Sequence, residues 1–265
     1  MAFPQGFLAR LPIRKPTLVV DEQRARRNIE RMAAKAKASG VRLRAHAKTH
    51  QSAQVGQWFR DDGVEAITVS SVDMAIGFAA AGWDDITIAI PLNVRQLDEV
   101  GALAARIRLG VVVDSHAAVA ALSGGLSHGV DVWIKVDIGY GRAGVLWEQQ
   151  DTISKLAADI DTAKKLRFRG LLTHSGHSYK AGSPNDVKEI FEQTVERMNA
   201  AKGAVLAAAV PRCEISIGDT PSCVVMDDFT GVDEIRPGNF VYFDLMQWQA
   251  GICEWSDIAA AVACP

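Results

Sequence analysis

Short runs of β-branched and apolar residues alternate with longer amphipathic segments along almost the whole chain. The runs predict eight strands, at 17–20, 41–46, 64–69, 86–90, 109–113, 131–137, 168–173 and 214–217. The segments between them predict helices, from 22–39 near the start to the longest at 185–208. Because each strand is followed by a helix, the pattern predicts an α/β fold of parallel strands joined by helical crossovers.

The number of these units favours a closed (β/α)8 barrel of the TIM type, which typically needs about 250 residues. An open doubly wound sheet is the alternative, because periodicity does not show closure. The run Gly139-Tyr-Gly-Arg-Ala-Gly144 follows a predicted strand, but no predicted helix opens at it, since the next one begins at 150, so a dinucleotide-binding unit has little support. An apolar run at 258–264 predicts one more strand, which is an edge strand or the start of a further domain. We therefore expect a barrel over 1–250 and the first segment of a β-domain over 251–265.

Composition excludes several classes of partner. The net charge is −2 with no basic block, which argues against nucleic acid. No apolar stretch reaches membrane-spanning length, and residues 1–14 lack the pattern of a signal peptide. The four cysteines show no framework spacing, which is typical of thiols in a reducing compartment. We expect a cytoplasmic protein that binds neither nucleic acid nor a membrane.

A lysine lies between two histidines at the predicted end of the second strand. Side chains alternate along a strand, so His46, Lys48 and His50 are expected to point the same way while the strand lasts. Neighbouring cations and burial favour the neutral amine that attacks an aldehyde, which makes Lys48 a candidate Schiff-base nucleophile. For an isolated Lys-Thr-His segment, a solvated basic turn is the ordinary explanation.

Two glycine-containing turns follow the last predicted strands. Gly218 and Thr220 offer backbone N–H groups and a hydroxyl, and Gly238 with Asn239 offers a second pair of amides. Loops at this end of a barrel commonly bind phosphate. Each turn alone is weak support, but together with Lys48 they predict a cofactor that carries both a phosphate and an aldehyde. Pyridoxal 5'-phosphate (PLP) is that cofactor.

Five segments resemble, in the same order, those of the D-threonine aldolase and D-serine dehydratase family. This family is a branch of the fold-type III PLP enzymes that also includes alanine racemase. The segments are 44–50 (Arg-Ala-His-Ala-Lys-Thr-His), 135–144, 173–179, 217–221 and 235–244. The resemblance covers nearly the whole chain and implies a barrel of the alanine racemase N-terminal type.

The resemblance also implies roles for individual residues. Lys48 would hold PLP as a Schiff base, and Arg142 would lie beside the phenolic oxygen of the cofactor or the substrate carboxylate. Tyr179 would approach the ring nitrogen, and His174 would line the ring. These four residues are the implied catalytic set. The remaining implied cofactor contacts are His46, Gly218, Thr220, Arg236, Gly238 and Asn239.

The activity implied by the resemblance is that of a lyase acting on D-configured 3-hydroxy amino acids. Retro-aldol cleavage to glycine and an aldehyde is the first expectation, and β-elimination to a keto acid and ammonia is the alternative. An amino-acid racemase or a PLP-binding protein without turnover follows. A homodimer and a divalent metal, Mn or Zn, are also implied. Family members continue past the segment that resembles 258–265 into a β-rich domain that carries the metal ligands, so no metal ligand is assigned in this chain.

Overall fold

The computed structural model describes residues 13–264, so the parts of the predictions that concern residues 1–12 and Pro265 lie outside the described residues. The strands are β1 (Thr17–Val20), β2 (Arg42–Leu43), β3 (Ile67–Val69), β4 (Asp85–Pro91), β5 (Arg108–Val113), β6 (Val130–Asp137), β7 (Val145–Leu146), β8 (Leu166–Leu172), β9 (Glu214–Ile217), β10 (Glu234–Ile235) and β11 (Ala260–Ala263). The helices are α1 (Glu22–Ala38), α2 (Ala53–Asp61), α3 (Val72–Ala80), α4 (Leu97–Ala104), α5 (His116–Gly125), α6 (Gln150–Thr162), α7 (Pro184–Ala207), α8 (Thr220–Val225) and α9 (Leu245–Gln249).

Eight parallel strands form a closed ring. Their order is β2-β10-β9-β8-β6-β5-β4-β3, and β7 pairs with β6 at its carboxyl end. A single parallel bridge between His46 and Thr68 joins the two ends of this series. It is supported by the backbone N–H of Thr68, which donates to the carbonyl of Ala45 over 2.9 Å. The predicted (β/α)8 fold is therefore confirmed, and the open-sheet alternative is not adopted.

Two strands differ from the sequence-based expectation. β1 was expected to be the first barrel strand, but it lies outside the ring and pairs antiparallel with β11. The eighth place in the ring belongs to β10, which pairs with β2 and β9. β10 is two buried residues long, too short for any alternating pattern to show in the sequence. The apolar run predicted at 258–264 forms β11, which pairs with β1.

Seven of the nine α-helices found within residues 13–264 begin after a serine or aspartate whose side-chain oxygen accepts a backbone N–H of the first turn. These caps are Asp21, Ser52, Ser71, Ser115, Ser183, Asp219 and Asp244. Gly40 and Gly82 follow α1 and α3 with φ of 68° and 88°, a left-handed conformation that glycine adopts at little cost. Capped starts and glycine stops keep the loops between strands and helices short, as a closed barrel requires.

Side chains of β6 fill the barrel in layers, because every second residue of a strand points inward. Asp131 lies nearest the amino end and pairs with Arg108 and Arg167 over 2.9 and 2.7 Å. Trp133 comes next and packs in an apolar layer with Val112 and Leu172, separate from the main core between sheet and helices. Charge and apolar packing therefore close the lower part of the barrel. The carboxyl ends of the strands stay open for a site.

No helix within the described part of the chain combines the length and the apolar character that crossing a membrane requires.

Candidate active site

Lys48 lies on a single 3-10 turn, Ala47–Thr49, that follows the closing bridge of the barrel. Nδ1 of His46 accepts the backbone N–H of Lys48 over 3.4 Å, and its Nε2 lies 3.5 Å from the hydroxyl of Ser70. Burial, together with the charges of Lys48 and Arg236, lowers the pKa of His46 well below 6.5. His46 is therefore neutral and protonated on Nε2, and it holds the turn that carries the lysine.

His50 does not share the direction of His46 and Lys48, so that expectation is wrong. The 3-10 turn replaces the strand after residue 46, and the period of two no longer applies. The ring of His50 stacks on Phe59 at 5.5 Å and meets the edge of Phe78 at 5.8 Å. Burial lowers the pKa of His50 to about 4, and the residue belongs to the packing between barrel and helices.

A cavity of about 410 Å³ opens at the carboxyl ends of the barrel strands. Nine of the ten residues predicted from the sequence line it: His46, Lys48, Arg142, His174, Tyr179, Gly218, Arg236, Gly238 and Asn239. The tenth, Thr220, is fully buried beside it, and its backbone N–H donates to the hydroxyl of Tyr179 over 3.0 Å. The structure thus brings together residues from five separate sequence segments.

The surroundings of Lys48 destabilise the charged, ammonium form of its side chain. Burial lowers its pKa, and the positive charges of Arg142 and Arg236 lower it further. A neutral amine is the form that attacks an aldehyde, so the surroundings of Lys48 match the chemistry predicted for it.

Two aromatic groups of the cavity wall are neutral. Nδ1–H of His174 donates to the carbonyl of Gly218, and burial lowers the pKa of His174 to about 3. Nε2 of the same ring is therefore left as an acceptor. Burial raises the pKa of Tyr179 to about 12, so its phenol keeps its proton and can donate it in a hydrogen bond. The pair supplies one acceptor and one donor without adding charge.

Arg236 is a fixed cation beneath the cavity. Its Nε donates to the hydroxyl of Ser216 over 2.7 Å, and one Nη donates to the carbonyl of Thr173. Although burial lowers its pKa to about 10, Arg236 remains charged at neutral pH. Since these bonds tie it to β9 and the end of β8, its main influence on the cavity is electrostatic.

The two glycine turns form a close-fitting cradle. A Cβ at Gly238 would lie 2.8 Å from the carbonyl oxygen of His46, and one at Gly218 would lie 3.0 Å from Cβ of Arg236. The hydroxyls of Thr220 and Ser222 are buried without a hydrogen-bond partner among residues 13–264. Unsatisfied buried hydroxyls are costly, so this end of the cavity is built for a ligand that accepts hydrogen bonds.

Asn239 contributes its backbone to this cradle. Its side-chain amide donates to Asp244 over 2.8 Å, and its side-chain oxygen accepts from Gln247. Both polar ends of the side chain are thus engaged with α9 and its cap. Asn239 can therefore contact a phosphate only through its backbone N–H, as the sequence analysis predicted.

Lys135 is a cavity residue that the sequence-based set of site residues omitted. It lies on β6, two residues beyond Trp133, and is only 4% exposed. A lysine inside a predicted strand, flanked by Ile134 and Val136 and two residues from an inward tryptophan, was the available signal. Ser70 and Asp219 also line the cavity, and serine and aspartate at a strand end are too common to single out.

Residues 13–264 contain no group of three or more His, Cys, Asp or Glu side chains that could hold a metal ion.

A parallel barrel with a buried lysine and two glycine turns at the carboxyl ends of its strands defines a recognisable class of protein. The family described as alanine racemase, N-terminal domain, matches residues 20–246. The chain therefore belongs to the alanine racemase N-terminal domain family, as the sequence segments had indicated. This family is of fold-type III and implies PLP as the cofactor.

Three relatives show which members of this family the chain is similar to. It is 34% identical to D-threo-3-hydroxyaspartate dehydratase of Delftia sp. (strain HT23), covering 95% of this chain and 67% of the relative. The solved structure of that enzyme superimposes with a TM-score of 0.89 at 33% identity over the same shares of the two chains. D-serine dehydratase of Dictyostelium discoideum is 28% identical (93% and 67% covered), and D-threonine aldolase of Arthrobacter sp is 27% identical (86% and 61%). The chain thus spans about two thirds of the length of these relatives.

The residues of the cavity fit PLP. The unpartnered hydroxyls of Thr220 and Ser222 suit a phosphate, and the neutral phenol of Tyr179 suits a ring nitrogen. Lys48, whose pKa is lowered by burial and by the charges of Arg142 and Arg236, lines the same cavity as Tyr179. The volume of about 410 Å³ is within the range of about 300–1,000 Å³ typical of small-molecule sites.

Proposed function

We propose that this protein is a PLP-dependent lyase that acts on D-configured 3-hydroxy amino acids. One observation carries the proposal: Lys48, whose pKa is lowered by burial and by two arginines, lines one cavity with the two glycine turns and with Tyr179, which is hydrogen-bonded to Thr220. The relatives, which act on D-amino acids by name, support the substrate class. When bound, PLP withdraws electrons from the Cα atom of an amino acid that is joined to it.

Each residue has a task that follows from its position. Lys48 would hold the aldehyde carbon of the cofactor. Thr220, Ser222 and the backbone of the glycine turns would bind its phosphate, and Tyr179 would donate to its ring nitrogen. A neutral donor, unlike an acid, leaves the ring nitrogen unprotonated, which moderates the withdrawal of electrons.

The amine of Lys48 is also the candidate base at Cα. When it is not joined to the cofactor, this amine could accept a proton, and the nearby Arg142 and Arg236 lower its pKa. Arg142 lies in the same cavity and would bind a carboxylate. Residues of one cavity would thus bind the substrate, orient it and accept its proton.

Two reactions use this same machinery. Retro-aldol cleavage gives glycine and an aldehyde, whereas β-elimination gives a keto acid and ammonia. The sequence segments favoured the first. The second has support of its own, since the dehydratase of Delftia is 34% identical to this chain and the aldolase of Arthrobacter is 27% identical. The products of a single substrate therefore decide between the two.

Further properties belong to the proposal on the strength of the resemblance. They are a homodimer, a cytoplasmic location, activation by a divalent metal such as Mn or Zn, and a β-domain that begins within residues 251–265.

The cofactor anchor is tested by reducing the PLP-treated protein with borohydride and mapping its peptides by mass. We expect a phosphopyridoxyl group on the peptide that contains Lys48, and none there in Lys48→Ala. Lys155→Met, which removes an exposed lysine of α6, serves as the control and should keep the adduct. An adduct on another lysine alone, or none, would contradict the assignment.

The reaction is tested by incubating the PLP-loaded protein with D-threo-3-hydroxyaspartate, D-threonine and D-serine, with and without Mn²⁺ or Zn²⁺. Glycine with an aldehyde identifies an aldolase, and a keto acid with ammonia identifies a dehydratase. Interconversion of enantiomers would replace the proposal by a racemase. A chain that binds PLP at Lys48 and forms no product from any of these substrates would refute the lyase.

A further inference from the structure

Asp219 is a buried acidic residue at the end of the barrel where the cavity opens. It lies in the loop after β9, is 2% exposed, and lines the cavity that holds Lys48. Among residues 13–264, no basic nitrogen lies within 4.0 Å of its oxygens. The buried carboxylates of Glu234 and Asp131, by contrast, each contact at least one arginine. A negative charge on Asp219 would therefore lack the contacting cation that those two carboxylates have.

The two carboxyl oxygens of Asp219 differ in their hydrogen bonds. Oδ1 accepts the hydroxyl of Ser178 and the backbone N–H of Ser222, each over 2.8 Å. Oδ2 is buried and has no hydrogen-bond partner in the described part of the chain. A buried, charged oxygen without a donor is costly, whereas the same oxygen, once protonated, is a donor that a ligand can satisfy. The hydrogen bonds of Asp219 therefore favour the neutral acid.

The ionisable side chains that face Asp219 leave this preference in place. His177 and Tyr179 lie in the turn after β8, Cys223 lies on α8, and Arg236 follows β10. The guanidinium of Arg236 donates to groups of β9 and the end of β8 instead. Burial raises the pKa of Asp219 above its usual 3.8, although its hydrogen-bonded neighbours and His177 act in the opposite direction. The loss of solvation thus outweighs the partners that would favour a carboxylate.

Two further polar groups at this end of the cavity also lack partners. The buried hydroxyls of Thr220 and Ser222 make no hydrogen bond with any residue of 13–264. With Oδ2 of Asp219 they form a set of three buried, unpartnered oxygens within four consecutive residues. All three are donors when Asp219 is protonated. A set of several donors matches a phosphate, which offers three acceptor oxygens.

We propose that Asp219 is protonated in the folded protein and donates its Oδ2–H to the phosphate of the cofactor. The inference rests on the proposed function, which assigns the hydroxyls of Thr220 and Ser222 to that phosphate. The hydrogen bond would be charge-assisted, and the carboxyl group and the phosphate would share one proton. An ionised Asp219 would instead repel the phosphate. The neutral acid therefore makes the site selective for a phosphorylated aldehyde over its unphosphorylated analogue.

The test compares PLP with pyridoxal, which has the same aldehyde and no phosphate. Absorbance titration of the PLP-free protein at neutral pH gives both dissociation constants, and their ratio isolates the contribution of the phosphate. Asp219→Asn keeps an acceptor oxygen and supplies an N–H donor in place of Oδ2–H, so it should change the ratio by less than about twofold. Asp219→Ser keeps a cap for α8 but is shorter, and it should lower the preference for PLP about tenfold or more. Asp151→Asn, which removes an exposed acid of α6, is the control and should keep the ratio.

A second measurement tests the proton on Asp219 without any cofactor. The infrared difference spectrum between the PLP-free wild-type protein and Asp219→Asn is recorded at neutral pH. We expect the C=O absorption of a neutral carboxyl group to be present in the wild-type protein and lost in the variant. The absorption of a carboxylate in its place would contradict the protonated state.

The outcomes separate this inference from the proposed function. If Asp219→Asn and Asp219→Ser both prefer PLP more strongly than the wild-type protein does, Asp219 is ionised and repels the phosphate, and the inference is wrong. An unchanged ratio in Asp219→Ser would also overturn it, because the carboxyl group then does not contact the phosphate. Either result, with PLP attached to Lys48, leaves the proposed function intact. If PLP does not attach to Lys48, the proposed function fails, and this inference fails with it.

Discussion

The backbone N–H of Thr220 donates to the phenolic oxygen of Tyr179 over 3.0 Å. This bond joins the 3-10 turn Gly176–Lys180, which follows β8, to the first residue of α8. The phenol that we assign to the ring nitrogen and the hydroxyl that we assign to the phosphate therefore belong to one rigid unit. A cofactor that contacts one of these two residues would therefore be positioned by the other as well.

Replacing Tyr179 by Phe should affect stability and cofactor binding together. The change leaves the buried N–H of Thr220 without a partner, which costs about 1–3 kcal/mol. Urea unfolding of the PLP-free protein and an absorbance titration with PLP measure the two effects. Tyr242→Phe is the matched control, since the hydroxyl of Tyr242 makes no hydrogen bond with any described residue, and it should change the unfolding free energy by less than about 0.5 kcal/mol. Equal effects of the two substitutions would contradict the role of the Tyr179 bond.

The buried ion pair at the bottom of the barrel should be sensitive to the loss of one partner. Arg44 donates to Glu234 over 2.8 Å, and the side chain of Glu234 is fully buried. Arg44→Met is expected to lower the unfolding free energy by about 3 kcal/mol, because the buried carboxylate loses its nearest cation and keeps only the hydroxyl of Ser216 at 2.8 Å and Arg42 at 3.6 Å. Arg26→Met removes an exposed arginine with two acidic partners and should cost far less, because solvent screens both pairs. Denaturant unfolding of both variants checks the difference, and similar losses would refute it.

The titration of His50 should lower the free energy of unfolding in mild acid. Burial lowers its pKa from 6.5 to about 4, so the unfolded chain takes up the proton first as the pH falls. The stability it contributes is present above pH 6.5 and is lost towards pH 4, at about 1.4 kcal/mol per pH unit. His50→Asn keeps an acceptor for the N–H of Ser52 and removes the titration. Its unfolding free energy should therefore fall less steeply between these values, and parallel curves for the two proteins would count against the explanation.

Gly238 should not tolerate a side chain. A Cβ there would lie 2.8 Å from the carbonyl oxygen of His46, so Gly238→Ala must shift the turn that carries Lys48. We expect a loss of about 1–3 kcal/mol in stability and a weaker affinity for PLP. In contrast, Gly203 lies on α7 with no atom within 4 Å of such a Cβ, and Gly203→Ala should raise stability by about 0.5–1 kcal/mol. Thermal unfolding and PLP titration of both variants test the contrast.

The sequence by itself determined the kind of fold and most of the cavity wall. Seven of the eight predicted β/α units, their strand ends and the first glycine turn are local patterns, and they suffice to place Lys48, Tyr179 and Gly218 at one mouth of the barrel. That inference works because parallel strands bring their carboxyl ends to the same side of a barrel, whatever their distance in the chain.

The tertiary structure alone decided which strands close the ring and which charges stay unpaired. β10 is a strand only because β2 and β9 flank it, and β1 leaves the ring because β11 pairs with it. Likewise, the sequence shows that Lys135 lies in a predicted strand, but only the packing of residues 13–264 shows that it is 4% exposed and lines the cavity with Lys48. Pairing and charge balance depend on neighbours that lie far apart in the chain, and a local pattern carries no information about them.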